Sequence, residues 1–136
     1  MKIVVGEGGK MPTRAHSTDA GLDLYSPETV IVPAKESVKI DTKIHVEPPP
    51  NTTGFIKSKS GLNVKHGILS EGVIDAGYTG SIQVKLYNHS GYDYTVHAGD
   101  KISQLVILPI VIPPLELVDK LEETDRGSNG FGSSGY

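Results

Sequence analysis

Apolar and polar side chains alternate along the segment from Ser81 to Asn88. The apolar positions are Ile82, Val84 and Leu86, and each is followed by a polar or amphipathic residue. Such a period of two is typical of a β-strand that buries one face. Comparable short runs recur along the chain with turn residues between them, whereas helical periodicity is nearly absent. The chain is therefore constrained to an all-β fold, a barrel or a sandwich.

The pattern predicts ten strands, separated by turn segments such as Gly8–Gly9, Pro48–Pro50 and Ala98–Asp100. The only helical structure that we expect is one short turn that follows Ser60–Asn63. The predicted strands are Lys2–Val5, Gly21–Tyr25, Thr29–Val32, Ser37–Lys43, Gly54–Ser58, Ile68–Asp75, Ser81–Asn88, Tyr94–Val96, Lys101–Pro109 and Leu115–Lys120.

Length and charge limit the classes of function. A chain of 136 residues is long enough to bury its own core, and one compact domain is expected. The net charge of −3 argues against a protein that coats nucleic acid. The longest apolar run, Leu105–Ile112, is too short to span a membrane and is broken by Pro109. We therefore expect no nucleic acid, no membrane, and a cytoplasmic location (the host cytoplasm if the protein is viral).

The composition of the chain changes at Glu122. Residues 122–136 are rich in Gly and Ser and cannot build a core, so we expect a β-barrel domain at residues 1–121 and a flexible C-terminal lid at residues 122–136. Composition alone also fits an ordinary frayed terminus. However, Arg126 can pair with phosphate oxygens, and Phe131 can stack on a nucleobase. Gly and Ser amides can surround a phosphate as well, which favours the lid.

Asp75 and Tyr78 lie in the segment Gly72–Gly80, just before the alternating strand. Asp75 interrupts an apolar run, and a carboxylate in such a place is unfavourable unless it is hydrogen-bonded or used in chemistry. The glycines that flank Tyr78 permit a tight turn that exposes its ring. The structural alternatives are an Asp that caps the turn and an ordinary half-buried Tyr. The functional interpretation is a substrate pocket with one acid and one flat ring.

Five segments, taken in order, resemble the five motifs of the trimeric deoxyuridine triphosphate nucleotidohydrolases, or dUTPases. Any one segment alone is a weak signal, but together they span nearly the whole chain with spacing similar to that of the family. The segments are Ala15–Ser26, Lys59–Leu62, Gly72–Gly80, Gly99–Leu105 and Arg126–Ser134.

The resemblance implies both a fold and a reaction. The fold is a distorted jelly-roll β-barrel that assembles as a homotrimer, with each active site at a subunit boundary and built from motifs of three chains. The reaction is hydrolysis of dUTP to dUMP and pyrophosphate, with Mg²⁺ bound by the triphosphate. This reaction would limit the incorporation of uracil into DNA and supply dUMP for dTMP synthesis.

The third motif supplies the implied catalytic residue. By this resemblance, Asp75 deprotonates the water that attacks the α-phosphorus, and Tyr78 packs under deoxyribose and excludes a ribose 2′-hydroxyl. The run Ile68–Val73 is expected to form a hairpin whose backbone groups read the edge of uracil. This hairpin is slightly shorter than the common family form. Its candidate substrate contacts are Ser70, the nearest equivalent of the usual polar side chain, and Val73.

The first, second and fourth motifs supply the implied phosphate and metal contacts. Lys59 stands where the family most often has Arg, so a point charge replaces a planar fork. Ser60 and Gly61 would contact phosphate oxygens through the Ser hydroxyl and the backbone amides. Asp23 and Gln104 match polar groups near the triphosphate, and Asp23 is expected to act on Mg²⁺ through water. The structural alternatives are a turn role for Asp23 and a backbone hydrogen bond for Gln104.

The fifth motif implies that the C-terminal lid closes on bound substrate. By resemblance, Arg126 pairs with the phosphates and Phe131 stacks on the base, while Gly132 and Ser133 add further substrate contacts. Closure would expel bulk water and leave the molecule that is held by Asp75.

Two other functions are open to this sequence. Deoxycytidine triphosphate deaminases share the fold, but they use a Glu to activate water in a differently built third motif, and the run Val73–Tyr78 has the dUTPase form. The alternative from another class is a trimer that senses a nucleotide and binds a protein partner, either without catalysis or in addition to it.

Overall fold

The fold consists of ten β-strands and one short α-helix in the computed structural model, which describes residues 1–130. The all-β fold that the alternating pattern predicts is confirmed. The elements are β1 (Lys2–Val5), β2 (Gly21–Tyr25), β3 (Val30–Val32), β4 (Ser37–Asp41), β5 (Ile44–Glu47), β6 (Thr52–Lys57), α1 (Ser60–His66), β7 (Ile68–Ile74), β8 (Gln83–Asn88), β9 (Tyr94–Val96) and β10 (Lys101–Pro109).

Six strands form one curled sheet that makes up the wall of a half-barrel. Their order is β2-β10-β6-β7-β8-β4, and all neighbours are antiparallel. Two smaller sheets pair β1 with β5 and β3 with β9. Because β10 lies between β2 and β6, Gln104 is opposite Asp23 on one side and Lys57 on the other. Segments far apart in the sequence thus meet in one row across the sheet.

The alternating strand buries its apolar residues as its pattern predicts. In β8, Val84 and Leu86 are fully buried, whereas Gln83 and Lys85 are exposed. Removal of such side chains from water is the main driving force for the fold. The largest fully buried side chains are Leu24, Val32, Ile40, Ile44, Ile56, Ile68, Ile82, Val84, Leu86, Val96, Ile102 and Leu105.

A turn ends one predicted strand two residues early, and the strand that follows the turn, β5, is missing from the predicted set. The sequence predicts a single strand at Ser37–Lys43, but β4 ends at Asp41 and β5 begins at Ile44. Lys43 adopts a left-handed backbone conformation with a φ of 60°. The Asp41 carboxylate accepts hydrogen bonds from the Lys43 backbone N–H at 3.0 Å and from Lys43 Nζ at 2.8 Å. This local bonding stabilises a turn in place of a continuous ladder.

The helix is longer than the single turn that the sequence predicts. It runs for seven residues, from Ser60 to His66, and is followed by Gly67, whose φ is 65°. Glycine adopts this left-handed conformation without steric cost, which makes it the usual residue after a helix. No helix among residues 1–130 has both the length and the apolar character that crossing a bilayer requires.

The predicted strand Leu115–Lys120 is wrong. None of the residues 110–130 forms a strand, and Leu115 and Leu117 are 97% and 100% exposed. A strand needs a partner for its backbone hydrogen bonds, and no other described segment pairs with this one. The apolar residues of this segment are therefore left without cover by the described part of the chain.

β7 is one continuous strand, as the sequence pattern predicts for Ile68–Asp75, and it does not fold back into the hairpin that the resemblance implies. Up to Ser70 it pairs with β8, and from Glu71 onward it pairs with β6. The predicted hairpin within Ile68–Val73 is therefore wrong, because each half of the segment pairs with a neighbouring strand and not with the other half.

Candidate active site

Two lysines hold the buried carboxylate of Asp23. Its Oδ1 contacts Lys59 Nζ, and its Oδ2 lies 2.7 Å from Lys101 Nζ. The Asp23 side chain is 6% exposed, against 28% for Lys59 and 44% for Lys101. Burial raises the pKa of this carboxyl, but the hydrogen bonds from Lys101 and Lys59 outweigh burial and leave the pKa below its ordinary value. Asp23 is thus ionised at neutral pH, and we call these three residues the lysine cluster.

Gln104 fixes the backbone next to the lysine cluster. It lies opposite Asp23 in the β2–β10 ladder, and its Nε2 donates to the Ser58 carbonyl at 2.9 Å. Gly21 leaves room for the Gln104 side chain, because a Cβ at that position would collide with it. Since Ser58 directly precedes Lys59, this hydrogen bond holds the segment that carries Lys59. Gln104 therefore makes a backbone hydrogen bond in the barrel wall, and its contact with substrate stays a prediction.

The second motif opens the helix at the same end of the sheet. Lys59 is the N-cap of α1, with an extended backbone, and Ser60 and Gly61 are its first two residues. Both are exposed, and a Cβ at Gly61 would meet no atom within 4 Å. The structure thus places Ser60 and Gly61 next to the lysine cluster, on an open surface.

Ser70 is a structural residue of the barrel wall. It is only 3% exposed, and its hydroxyl lies 2.7 Å from that of Ser103, which donates to the Lys57 carbonyl at 2.9 Å. The Ser58 hydroxyl accepts a hydrogen bond from the Ser70 N–H and donates one to the Ser70 carbonyl. The polar groups of Ser70 are all bonded inside the protein, which favours a structural role, and its contact with substrate stays a prediction.

Asp75 and Tyr78 lie on the turn that follows β7. The Tyr78 N–H donates to the Asp75 carbonyl at 3.0 Å, and the Tyr78 hydroxyl donates to the Ser81 carbonyl at 2.9 Å. The ring lies against Gly80, where any Cβ would collide with it. Asp75 is exposed, Tyr78 is 42% exposed, and Val73 at the end of β7 is 59% exposed. An acid and a fixed ring are therefore presented together to a ligand from solvent.

The chain does not bring Asp75 and Lys59 to one place. β6 and β7 are antiparallel, with Lys57 opposite Glu71. Lys59 follows the end of β6 at this row, whereas Asp75 follows the other end of β7. At the usual rise of a strand, the four residues from Glu71 to Asp75 span about 13 Å. Within one chain, Asp75 and Lys59 therefore follow opposite ends of the β6–β7 pair.

The fifth motif is only partly within the described residues. The Arg126 Nε donates to the Asn129 carbonyl at 3.1 Å, and both residues are exposed. Phe131, Gly132 and Ser133 lie outside the described residues. The role of the lid therefore stays a prediction.

Comparison with known proteins assigns the chain to a family. The sequence profile described as dUTPase matches residues 7–135. The chain belongs to the dUTPase family. A probable deoxyuridine 5′-triphosphate nucleotidohydrolase of Schizosaccharomyces pombe is 43% identical over 132 residues, which cover 96% of this chain and 94% of that protein. The deoxyuridine 5′-triphosphate nucleotidohydrolase of Clostridium acetobutylicum is 42% identical over 134 residues, which cover 96% and 92%.

Solved dUTPase structures share this fold. The dUTPase of Staphylococcus bacteriophage 80alpha with dUpNHpp matches with a TM-score of 0.92 and 32% identity over 99% of this chain and 98% of that chain. A variant of the dUTPase from phage phi11 of S. aureus, described with the coordination of a structural Mg(II) ion, matches with a TM-score of 0.82 and 31% identity over 90% and 98%. The predicted resemblance and fold class are confirmed.

This member of the dUTPase family offers a metal ion few protein ligands. Among residues 1–130, no group of three His, Cys, Asp or Glu side chains could hold an ion. Each oxygen of Asp23 already contacts a lysine, so direct coordination would require a lysine to leave. A single carboxylate of this kind fits Mg²⁺, which keeps several waters and takes its other ligands from a triphosphate.

Sequence reasoning missed Lys101 and Ser103. Both lie at the start of β10, in the segment that carries Gln104. The only local signal is that Lys101 is a basic residue three positions before Gln104. The contact of Lys101 with Asp23 could not be inferred from the sequence, because it depends on the pairing of β10 with β2 across the barrel.

Proposed function

We propose that this protein hydrolyses dUTP to dUMP and pyrophosphate. The observation that carries the proposal is the family match over residues 7–135, together with Asp75 and Tyr78 on one exposed turn. The relatives from S. pombe and C. acetobutylicum are named for this activity, and the phage 80alpha dUTPase was solved with dUpNHpp. Such an activity would lower the amount of dUTP available for incorporation into DNA.

Asp75 is the proposed general base. Its carboxylate accepts a proton from a water molecule whose oxygen forms a bond to the α-phosphorus. The bond between the α-phosphorus and the bridging oxygen breaks, and pyrophosphate leaves with the electron pair. Exposure of Asp75 on the turn supports this role, because substrate can approach the carboxylate without rearrangement of the barrel.

Tyr78 is the proposed selector for deoxyribose. The hydrogen bond to the Ser81 carbonyl and the contact with Gly80 hold its ring in one orientation. A sugar that packs on this face has no space for a 2′-hydroxyl, so UTP is rejected by a clash. Val73, which is exposed near the end of β7, is the proposed contact for the base.

The proposed phosphate contacts are Lys59, Ser60, Gly61, Gln104 and Arg126. Mg²⁺ bound by the triphosphate offsets part of its charge and fixes its conformation. Asp23 would reach such an ion through a water molecule, and the ammonium group of Lys59 adds positive charge beside the phosphates. Phe131, Gly132 and Ser133 complete the proposed site from the lid.

A homotrimer with shared active sites is part of this proposal. The separation of Asp75 from Lys59 supports it, because a second chain can supply the group that one chain holds too far away. The segment 110–121 supports it as well, since Leu115 and Leu117 are almost fully exposed. An apolar surface of this kind is unfavourable in water and is typical of a subunit contact.

The test is pyrophosphate release from dUTP, dCTP, dTTP and UTP with Mg²⁺, measured for wild type and Asp75→Asn. We expect release from dUTP alone and its loss in the variant, with unchanged melting temperature. Asp93→Asn, the same change at an exposed loop, is the matched control and should keep full activity. No release from any nucleotide by a folded wild-type protein would overturn the proposal.

Nucleotide-dependent binding of a protein partner is a second candidate function. It is favoured by the similarity to the 80alpha enzyme, one of the phage dUTPases described as controlling transfer of virulence genes by a G protein-like mechanism. A pull-down with and without dUpNHpp tests it. A partner retained in only one of the two conditions supports this function, and equal recovery in both excludes nucleotide control.

A further inference from the structure

The lysine cluster contains one more positive charge than Asp23 requires. One carboxylate faces two ammonium groups, and each carboxylate oxygen has its own lysine. Asp23 is the most buried member of the cluster and Lys101 the most exposed. One lysine can therefore leave while the carboxylate remains paired.

Lys59 has two competing partners. In the structure its Nζ contacts Asp23 Oδ1, whereas the proposed function assigns the same group to a phosphate of the substrate. Although an ammonium group carries three donors, movement of this group toward the phosphate lengthens or breaks its contact with Asp23 Oδ1. The loss of the last partner of a buried carboxylate is strongly unfavourable, so a chain with Lys59 alone would bind the triphosphate weakly.

We propose that Lys101 is a positioning residue that keeps Asp23 paired and in place when Lys59 moves to the substrate. This inference rests on the proposed function. Lys101 acts through Oδ2 of Asp23 and need not contact the substrate. Departure of Lys59 frees Oδ1, the oxygen that can then accept a hydrogen bond from a metal-bound water.

The backbone around Lys101 is suited to this role. Lys101 is opposite Tyr25 at the first position of the β10–β2 ladder, and the preceding carbonyl, that of Asp100, accepts the Ser26 N–H at 2.9 Å. The Asp100 carboxylate in turn accepts the His97 N–H at 2.8 Å. Lys101 thus extends from the hydrogen-bonded first position of β10, whereas Lys59 lies at the start of α1, next to the exposed Ser60 and Gly61.

The test is a double-mutant cycle read by the affinity for dUpNHpp at a fixed Mg²⁺ concentration. Lys101→Met should weaken binding by about tenfold or more, because Lys59 is then retained by Asp23. Lys101→Arg, which keeps the charge, should bind within about threefold of wild type. In the Asp23→Asn background, where no carboxylate needs a partner, Lys101→Met should change the affinity by less than about twofold.

Three outcomes would overturn the inference. The first is binding of dUpNHpp by Lys101→Met with wild-type affinity. The second is the same loss of affinity from Lys101→Met in the Asp23→Asn background, which would show direct contact of Lys101 with substrate. The third is a loss of affinity in Lys101→Met that is no larger than the loss of folded protein explains. Lys101→Gln is a second variant in which affinity and folded fraction are compared in the same way. Failure of wild type itself to bind dUpNHpp would instead overturn the proposed function, so the two failures are distinguishable.

Discussion

Asp75 and Lys59 follow opposite ends of the antiparallel pair β6–β7. Lys59 comes two residues after the row in which Lys57 faces Glu71, and Asp75 comes four residues beyond that row on β7. The sheet therefore holds the proposed base and the proposed phosphate ligand apart. This separation supports the proposed site that combines two copies of the chain.

Mixing of two inactive variants should restore activity. If Asp75 and Lys59 come from different subunits, co-refolded Asp75→Asn and Lys59→Met chains form some sites in which both residues are intact. Random assembly of equal amounts should give about one quarter of the wild-type activity. In each site about half of the Asp75 positions and, independently, about half of the Lys59 positions are intact. The measurement is pyrophosphate release per site.

The control for this prediction is each variant refolded alone, which should be inactive. An inactive mixture of folded, co-assembled chains would contradict a shared site and would place both residues of a site in one subunit.

Replacement of Tyr78 should weaken discrimination between dUTP and UTP. Tyr78→Ala removes the ring that excludes a 2′-hydroxyl, so the ratio of kcat/KM for dUTP to that for UTP should fall at least about tenfold. Tyr78→Phe loses only the hydrogen bond to Ser81 and should keep most of the selectivity. Tyr92→Ala, at an exposed loop position, is the control. An unchanged ratio in Tyr78→Ala would exclude the ring as the selector.

Replacement of Ser70 should affect stability and not substrate binding. Ser70→Ala removes the hydroxyl contact with Ser103, and the free energy of unfolding should fall by about 1 kcal/mol. The KM for dUTP should stay at its wild-type value. Chemical denaturation and steady-state kinetics measure the two effects, with exposed Ser37→Ala as control. A raised KM without loss of stability would restore Ser70 to the substrate site.

Asp41 should make stability depend on pH. Hydrogen bonds from Lys43 and Ser81 hold the pKa of this carboxyl well below its ordinary value. A lowered pKa in the folded state stabilises the protein above the unfolded pKa of about 4, and this contribution is lost as the pH falls. Asp41→Asn should therefore cost about 1 kcal/mol at pH 7, and most of this difference should be lost at about pH 2, well below the unfolded pKa.

The measurement for Asp41 is urea denaturation of wild type and variant at both pH values. Glu7→Gln, at an exposed position, serves as the control for a change of net charge. A difference that stays constant or grows as the pH falls from 7 to about 2 would contradict the assignment of the stabilising interactions to ionised Asp41.

Removal of residues 122–136 should damage turnover far more than folding. The described part of this segment contributes no strand or helix, so the melting temperature should change little. Loss of Arg126 and Phe131 removes the proposed lid, and kcat should fall strongly. Arg126→Ala should show part of this loss in the full-length chain. A large drop in melting temperature with retained activity would refute the lid.

Sequence patterns predicted most of the strands because, in a strand with one buried face, the alternation of apolar and polar residues is visible within the strand itself. The alternation that ends at Asn88 and the runs of β2 and β10 needed no knowledge of the fold. The same pattern misled at Leu115–Lys120, because apolar alternation shows that a segment requires a partner and not that its own chain provides one.

The sequence by itself determined the fold class, the family and the exposed turn with Asp75 and Tyr78, since these depend on residues close together in the chain. Only the tertiary structure decided the lysine cluster and the burial of Ser70. Both depend on which strands pair and in which register, and a shift by one residue would turn the side chains to the other face. The pairing of β10 with β2 and β6 is set by burial of the whole barrel, which no single motif encodes.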